Sequence, residues 1–108
     1  MEKVFNKLVR DRIPEKIENN NEIAEVRVLS DEEYIHHLKL KLLEEYNEVI
    51  NASGKDFLEE LADMLEVIDA LSKIENKTLE DIIKIKEEKK EKRGGFDKKI
   101  LLIKTRDK

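Results

Sequence analysis

The sequence predicts a mainly α protein: an antiparallel helix hairpin plus further helices, forming a four-helix-bundle-like core that dimerisation would complete, with short strands at its periphery. Three observations carry this expectation. Apolar residues recur at the 3.6-residue helical period through two long stretches, about 31–51 and 56–74. Helix-start signals stand immediately ahead of those stretches. The balance of 44% charged to 39% hydrophobic residues describes a narrow core inside a densely ionised surface. The 108 residues contain no internal repeat and no Gly/Ser/Pro linker, so they read as one domain spanning 1–108.

The elements follow in order. Pro14 suits the first turn of a short helix running to about Glu18, which Asn19 to Asn21 break. Ile23, Ala24, Val26, Val28 and Leu29, interleaved with charge, predict a short edge strand. Ser30 and Glu33 form a capping box, with Leu29 and Tyr34 as its hydrophobic staple, and start the first long helix at Asp31. Its stripe of Ile35, Leu38, Leu42, Tyr46 and Val49 runs until Asn51 to Gly54 stop it. Asp56 and Glu59 open the second long helix, which carries a broad apolar face, Leu61, Met64, Leu65 and Ile68 among it, to about Ile74. That face is too wide for two neighbouring helices to cover, which predicts a homodimer or higher homo-oligomer. Thr78 caps a third helix that becomes the charged tail Lys86 to Arg93 before Gly94. Ile100 to Ile103 then read as a strand or extended arm. Phe5, Tyr34, Tyr46, Phe57 and Phe96 read as core residues.

Several function classes fall away on composition. A net charge of -4 argues against general affinity for nucleic acid or anionic membrane. The longest aliphatic run, Ile100 to Ile103, is far short of the ~20 residues of a membrane span. The first residues hold no apolar stretch of signal-peptide length, so a cytoplasmic location is expected. Without cysteine, any metal must be held by oxygen or histidine. His36 and His37 point ~100° apart on a helix and cannot chelate one ion together. Arg93-Gly94-Gly95 is a single RGG copy in an acidic chain, and a helix cap explains its glycine.

The chemical content lies in Glu44-Glu45-x-x-Glu48 on the first long helix and Glu60-x-x-Asp63 on the second. A decoy, Glu87-Glu88-x-x-Glu91, has the same spacing but no apolar residue beside it, so it reads as a solvated face with intrahelical ion pairs. Glu45, in contrast, falls within ~40° of the Leu38, Leu42 and Val49 stripe, where a lone carboxylate is costly. Glu48 lies a turn on, and Glu44 lies further toward solvent. Glu60 and Asp63 share a flank with Val67 and Ile74, whereas Glu66 and Asp69 lie on the polar stripe. In a hairpin, at ~1.5 Å per residue, Glu48 and Glu60 stand about one turn from the loop and Glu45 and Asp63 about two. Four carboxylates in one groove repel unless cations neutralise them, and hard oxygen donors select Mg²⁺, Mn²⁺ or Ca²⁺.

These residues carry a resemblance. The paired acids Glu44-Glu45-x-x-Glu48 and Glu60-Leu-Ala-Asp63, with eleven residues between Glu48 and Glu60, resemble the motif of the all-α nucleoside triphosphate pyrophosphohydrolases. This is the MazG-like superfamily, which includes phosphoribosyl-ATP pyrophosphohydrolase. Asn6-Lys-Leu-Val-Arg-Asp-Arg-Ile-Pro14 and Lys92-Arg-Gly-Gly-Phe96 are similar to features of a small branch of it. The resemblance implies Mg²⁺-dependent cleavage, with Mn²⁺ as substitute, between the α and β phosphates of a nucleotide, in the house-cleaning of non-standard nucleotides or on phosphoribosyl-ATP. It implies Glu45, Glu48, Glu60 and Asp63 as metal ligands and Glu44 with Glu45 as catalytic residues, Glu44 orienting or deprotonating the attacking water or binding a further metal. Lys7, Arg10, Arg12 and Arg93 are then the phosphate-binding candidates, since an acidic chain needs local cations for a triphosphate. The contrasting expectation is a non-catalytic helical interaction or scaffold module, whose acids would have no ligand.

Overall fold

The computed structural model describes residues 1–108 and is all-helical: α1 (Ile13–Asn19), α2 (Asp31–Asn51), α3 (Gly54–Ile74) and α4 (Leu79–Arg93). None of these helices is long and apolar enough to cross a membrane.

Local chemistry explains the boundaries. Pro14 sits in the first turn of α1. At the start of α2 the Glu33 amide donates to the Ser30 hydroxyl at 3.2 Å, and the Ser30 amide donates to the Glu33 carboxylate at 3.1 Å. Arg27 adds a two-pronged contact to the same carboxylate at 3.0 and 2.8 Å, which with the Ser30 bonds holds the Glu33 pKa down at about 2. Helix α3 begins at Gly54 rather than Asp56, and its N-cap Ser53 makes no side-chain bond. Gly54 takes φ +59°, a left-handed turn open to glycine, and so the chain reverses across Ala52 and Ser53 alone. Thr78 and Asp81 cap α4 reciprocally, and the Gly94 amide closes it on the Lys90 carbonyl at 2.7 Å.

The two-residue link makes α2 and α3 an antiparallel pair, which is the main packing unit; α4 rests on α3 alone. Leu38 and Val67 are the only buried apolar residues, backed by half-buried Leu42, Leu61, Met64, Ile68 and Leu71. The strand expected from Ile23 to Leu29 does not form, and of the two readings of Ile100 to Ile103, strand or extended arm, the strand is absent. Residues 22–30 are irregular and pair with nothing, and Ile100 to Ile103 lie exposed. A strand needs a neighbour to take its backbone hydrogen bonds, and neither segment reaches the other or a third. The aromatic residues are likewise not core: Phe5, Tyr34, Tyr46, Phe57 and Phe96 are all exposed. The apolar residues closed off from solvent are instead Leu38 of α2 and Val67 of α3.

Candidate metal centre

The hairpin brings acids from both helices to one place. A carboxylate oxygen from each of Glu45, Glu60 and Asp63 lies within 4.8 Å of the other two. Glu45 is only 8% exposed, in the stripe that also buries Leu38, while Glu60 and Asp63 are half-buried. Six residues separate Glu45 from the end of α2 at Asn51, and Glu60 lies six beyond the start of α3 at Gly54, so the antiparallel fold places them at one level.

Electrostatics reports the crowding. Burial first, and then the Asp63 charge, pushes the Glu45 carboxyl above its usual range. Glu60 is also raised, by desolvation and then by the charges of Glu48 and Asp63. Glu48 is therefore close enough to act on Glu60, yet it is exposed and stands outside the close group of three. Glu44 behaves oppositely. The Lys7 ammonium donates to one of its oxygens at 3.0 Å and Lys41 to the other at 3.2 Å, which together hold its carboxyl below the usual range.

Two of the four basic candidates reach the acids. Arg10 donates to Asp63 at 2.7 Å, and Lys7 spans to Glu44, so the N-terminal segment lies across the hairpin. Arg12 precedes α1 as its N-cap residue, and Arg93 ends α4; neither forms an ion pair with the cluster. Lys41, not among the sequence candidates, adds a third cation, 4.0 Å from Glu45. Its signal was present as the i, i+3 and i, i+4 spacing to Glu44 and Glu45. Beside Lys7 a shallow groove of about 310 Å³ runs between residues 6–8 and α2, floored by Leu40 and Leu43 and bounded by Glu44.

The decoy acids Glu87, Glu88 and Glu91 are all exposed, and Glu87 pairs with Lys86 at 2.9 Å. His36 and His37 stand edge to face at 5.6 Å, and His36 is exposed. Comparison with protein-family models, curated proteins and solved structures gives no match, so the chemistry is argued from these side chains.

The raised carboxyls make the metal-free protein pH-sensitive. Glu45 and Glu60 titrate above their ordinary 4.5 in the folded state, so the folded chain binds protons more tightly than the unfolded one. Their contribution is fully present below 4.5 and is lost as pH rises through the raised values. Glu33, Glu44 and Asp81 have the opposite sign and withdraw stability as pH falls through their lowered values. Thermal melting of the metal-free protein is expected to rise on acidification from neutral pH toward 4.5 and to fall below that. A melting temperature that only declines from pH 7 downward would contradict the crowding.

Proposed function

We propose that the chain is a cytoplasmic nucleoside triphosphate pyrophosphohydrolase of the MazG-like kind, splitting the α–β phosphate bond to release a nucleoside monophosphate and pyrophosphate. The observation that carries this reading is the convergence of Glu45, Glu60 and Asp63, with Arg10 paired to Asp63 and Lys7 to the neighbouring Glu44. An all-oxygen, all-anionic donor set, one member of it buried, fits a hard divalent cation such as Mg²⁺ or Mn²⁺. Glu45, Glu60 and Asp63 would hold it, with Glu48 one turn nearer the loop. Such an ion would neutralise phosphate charge and lower the pKa of a water.

The chain's own residues do the rest. Lys7 and Arg10 are more than half exposed, and surface ion pairs of this kind are worth about 0–1 kcal/mol. Exchanging a carboxylate partner for a phosphate oxygen therefore costs little and gains a charge-assisted hydrogen bond. Glu44, kept ionised by Lys7 and Lys41, accepts a hydrogen bond from the attacking water and then its proton. The water oxygen bonds to the α phosphorus, the bridging P–O bond breaks, and pyrophosphate leaves with the electron pair. The groove beside Lys7, with apolar Leu40 and Leu43, suits the nucleoside end. Base preference sets whether the role is house-cleaning of non-standard nucleotides or hydrolysis of phosphoribosyl-ATP.

The test is pyrophosphate release from a panel of nucleoside triphosphates, with non-standard bases and phosphoribosyl-ATP included, with and without Mg²⁺ or Mn²⁺. Metal-dependent release from at least one substrate is expected. No release from any of them would leave the scaffold reading in its place.

A further inference from the structure

The N-terminal segment is held to the hairpin by charge and by little else. Residues 1–12 precede the first helix, no backbone hydrogen bond joins them to α2 or α3, and only Leu8 among them is half-buried. Helix α1, which follows, packs against neither long helix. Two ion pairs tie the segment down, Lys7 to Glu44 at 3.0 Å and Arg10 to Asp63 at 2.7 Å. The charge balance agrees with this: residues 1–12 carry four basic side chains against two acidic, and α2 with α3 carries twelve acidic against four basic. Exposed pairs of this kind are weak and are screened by salt.

The two pairs differ in what they cover. Lys7 holds Glu44, which is not one of the three acids whose oxygens converge. Arg10 holds Asp63, which is one of them. Its guanidinium thus brings one positive charge to the carboxylate at which a divalent cation would bring two. At the Mg–oxygen distance of about 2.1 Å, an ion on either oxygen of Asp63 would stand within about 7 Å of the Arg10 nitrogen. That is inside the physiological Debye length of about 8 Å, so the two cations repel with little screening. Two things relieve the repulsion: Arg10 moves away, or an anion comes between. A phosphate oxygen is such an anion, and a guanidinium grips phosphate through paired hydrogen bonds.

We propose that residues 6–12 form a counter-ion strap that regulates this site: Arg10 neutralises Asp63 in the metal-free protein, lets go when a divalent cation is held there, and closes again on a polyphosphate bound beside that cation. The inference rests on the metal-centre reading and adds an order to it, cation first and anion second. Lys7, on the neighbouring Glu44, keeps the strap near the hairpin between the two steps. In the metal-free protein Arg10 is occupied and the acids repel phosphate, so neither is ready for the anion.

The test uses the full chain, which has no cysteine of its own. Calorimetric titration with Mg²⁺ alone at low ionic strength should show Arg10→Gln binding the ion about threefold to fivefold more tightly than the parent, the size of one surface ion pair removed from competition. Arg10→Lys keeps the charge and should stay close to the parent, and the three proteins should converge at about 0.5 M salt. A nitroxide on Val9→Cys, an exposed position beside Arg10, should gain mobility at saturating Mg²⁺ and lose it again when inorganic triphosphate is added. With Arg10→Gln added, the label should be mobile throughout. Both measurements are independent of turnover. Equal Mg²⁺ affinity in parent and Arg10→Gln, or a label that Mg²⁺ leaves unmoved, overturns the strap while the metal centre stands. So does an Arg10→Lys chain that behaves like Arg10→Gln, or inorganic triphosphate that leaves the label mobile. Mg²⁺ that binds neither parent nor Arg10→Gln removes the centre and the strap together.

Discussion

Exchanging Glu45 for Gln or Asp63 for Asn is expected to lower Mg²⁺-dependent pyrophosphate release by about 10²- to 10³-fold with circular dichroism unchanged. The size follows from what the carboxylates support: metal stabilisation of developing charge is worth several kcal/mol, and each factor of ten in rate is about 1.4 kcal/mol. The fold should tolerate the change because neither carboxylate supports it. Glu45 is raised in pKa by burial and by Asp63, so its charge costs stability in the metal-free protein, and the amide removes that cost at equal volume. Asp63 does lose its 2.7 Å contact with Arg10, but that pair joins an exposed guanidinium to a half-buried carboxylate and is worth little. Glu48→Gln ranks lower, about tenfold, since Glu48 is exposed and stands outside the group whose oxygens meet within 4.8 Å. Parental rates in both Glu45→Gln and Asp63→Asn would remove the catalytic assignment, even for a protein that binds metal elsewhere.

What was legible in the sequence was local or periodic. Ser30 with Glu33 and Thr78 with Gly94 mark helix ends through bonds made within a few residues, and α2 and α4 begin where those signals stand. Helical period put Glu45 on the buried stripe and Glu60 with Asp63 on the facing flank, and the hairpin brings these three together. The start of α3 was misplaced because Asp56 and Glu59 imitate a cap, while the turn is decided by the left-handed Gly54. The strands were misread for a different reason. Alternating Ile23, Val26 and Val28 state a preference for extended backbone, but a strand exists only in a ladder, and pairing is a property of the whole fold. The same holds for the basic residues: charge type nominates Lys7, Arg10, Arg12 and Arg93 equally, and only the path of residues 6–12 across the hairpin selects the first two.

Millimolar Mg²⁺ is expected to raise the melting temperature of the parental protein by about 10 °C. A ligand that binds only the folded state at about a hundredfold over its Kd adds about 2.7 kcal/mol. For a domain near 100 residues, each kcal/mol moves the midpoint by about 4 °C. The structural reason is the triad: three carboxylates within 4.8 Å, two of them raised in pKa, are in repulsion that a divalent cation converts to attraction. In Glu45→Gln the two halves of this statement separate. Without metal the variant should melt at or above the parent, because the least exposed charge of the cluster is gone, and with metal it should gain little, because a ligand is gone as well. The control is Glu87→Gln with Glu88→Gln, whose exposed acids on α4 share the spacing but not the setting; it should shift with Mg²⁺ as the parent does. An acid set that was merely a solvated face would predict equal and small shifts in all three proteins, since exposed carboxylates are worth little to stability whether or not magnesium is present. Loss of the metal response in the α4 variant, with its retention in Glu45→Gln, would place the ion on the wrong helix for the mechanism.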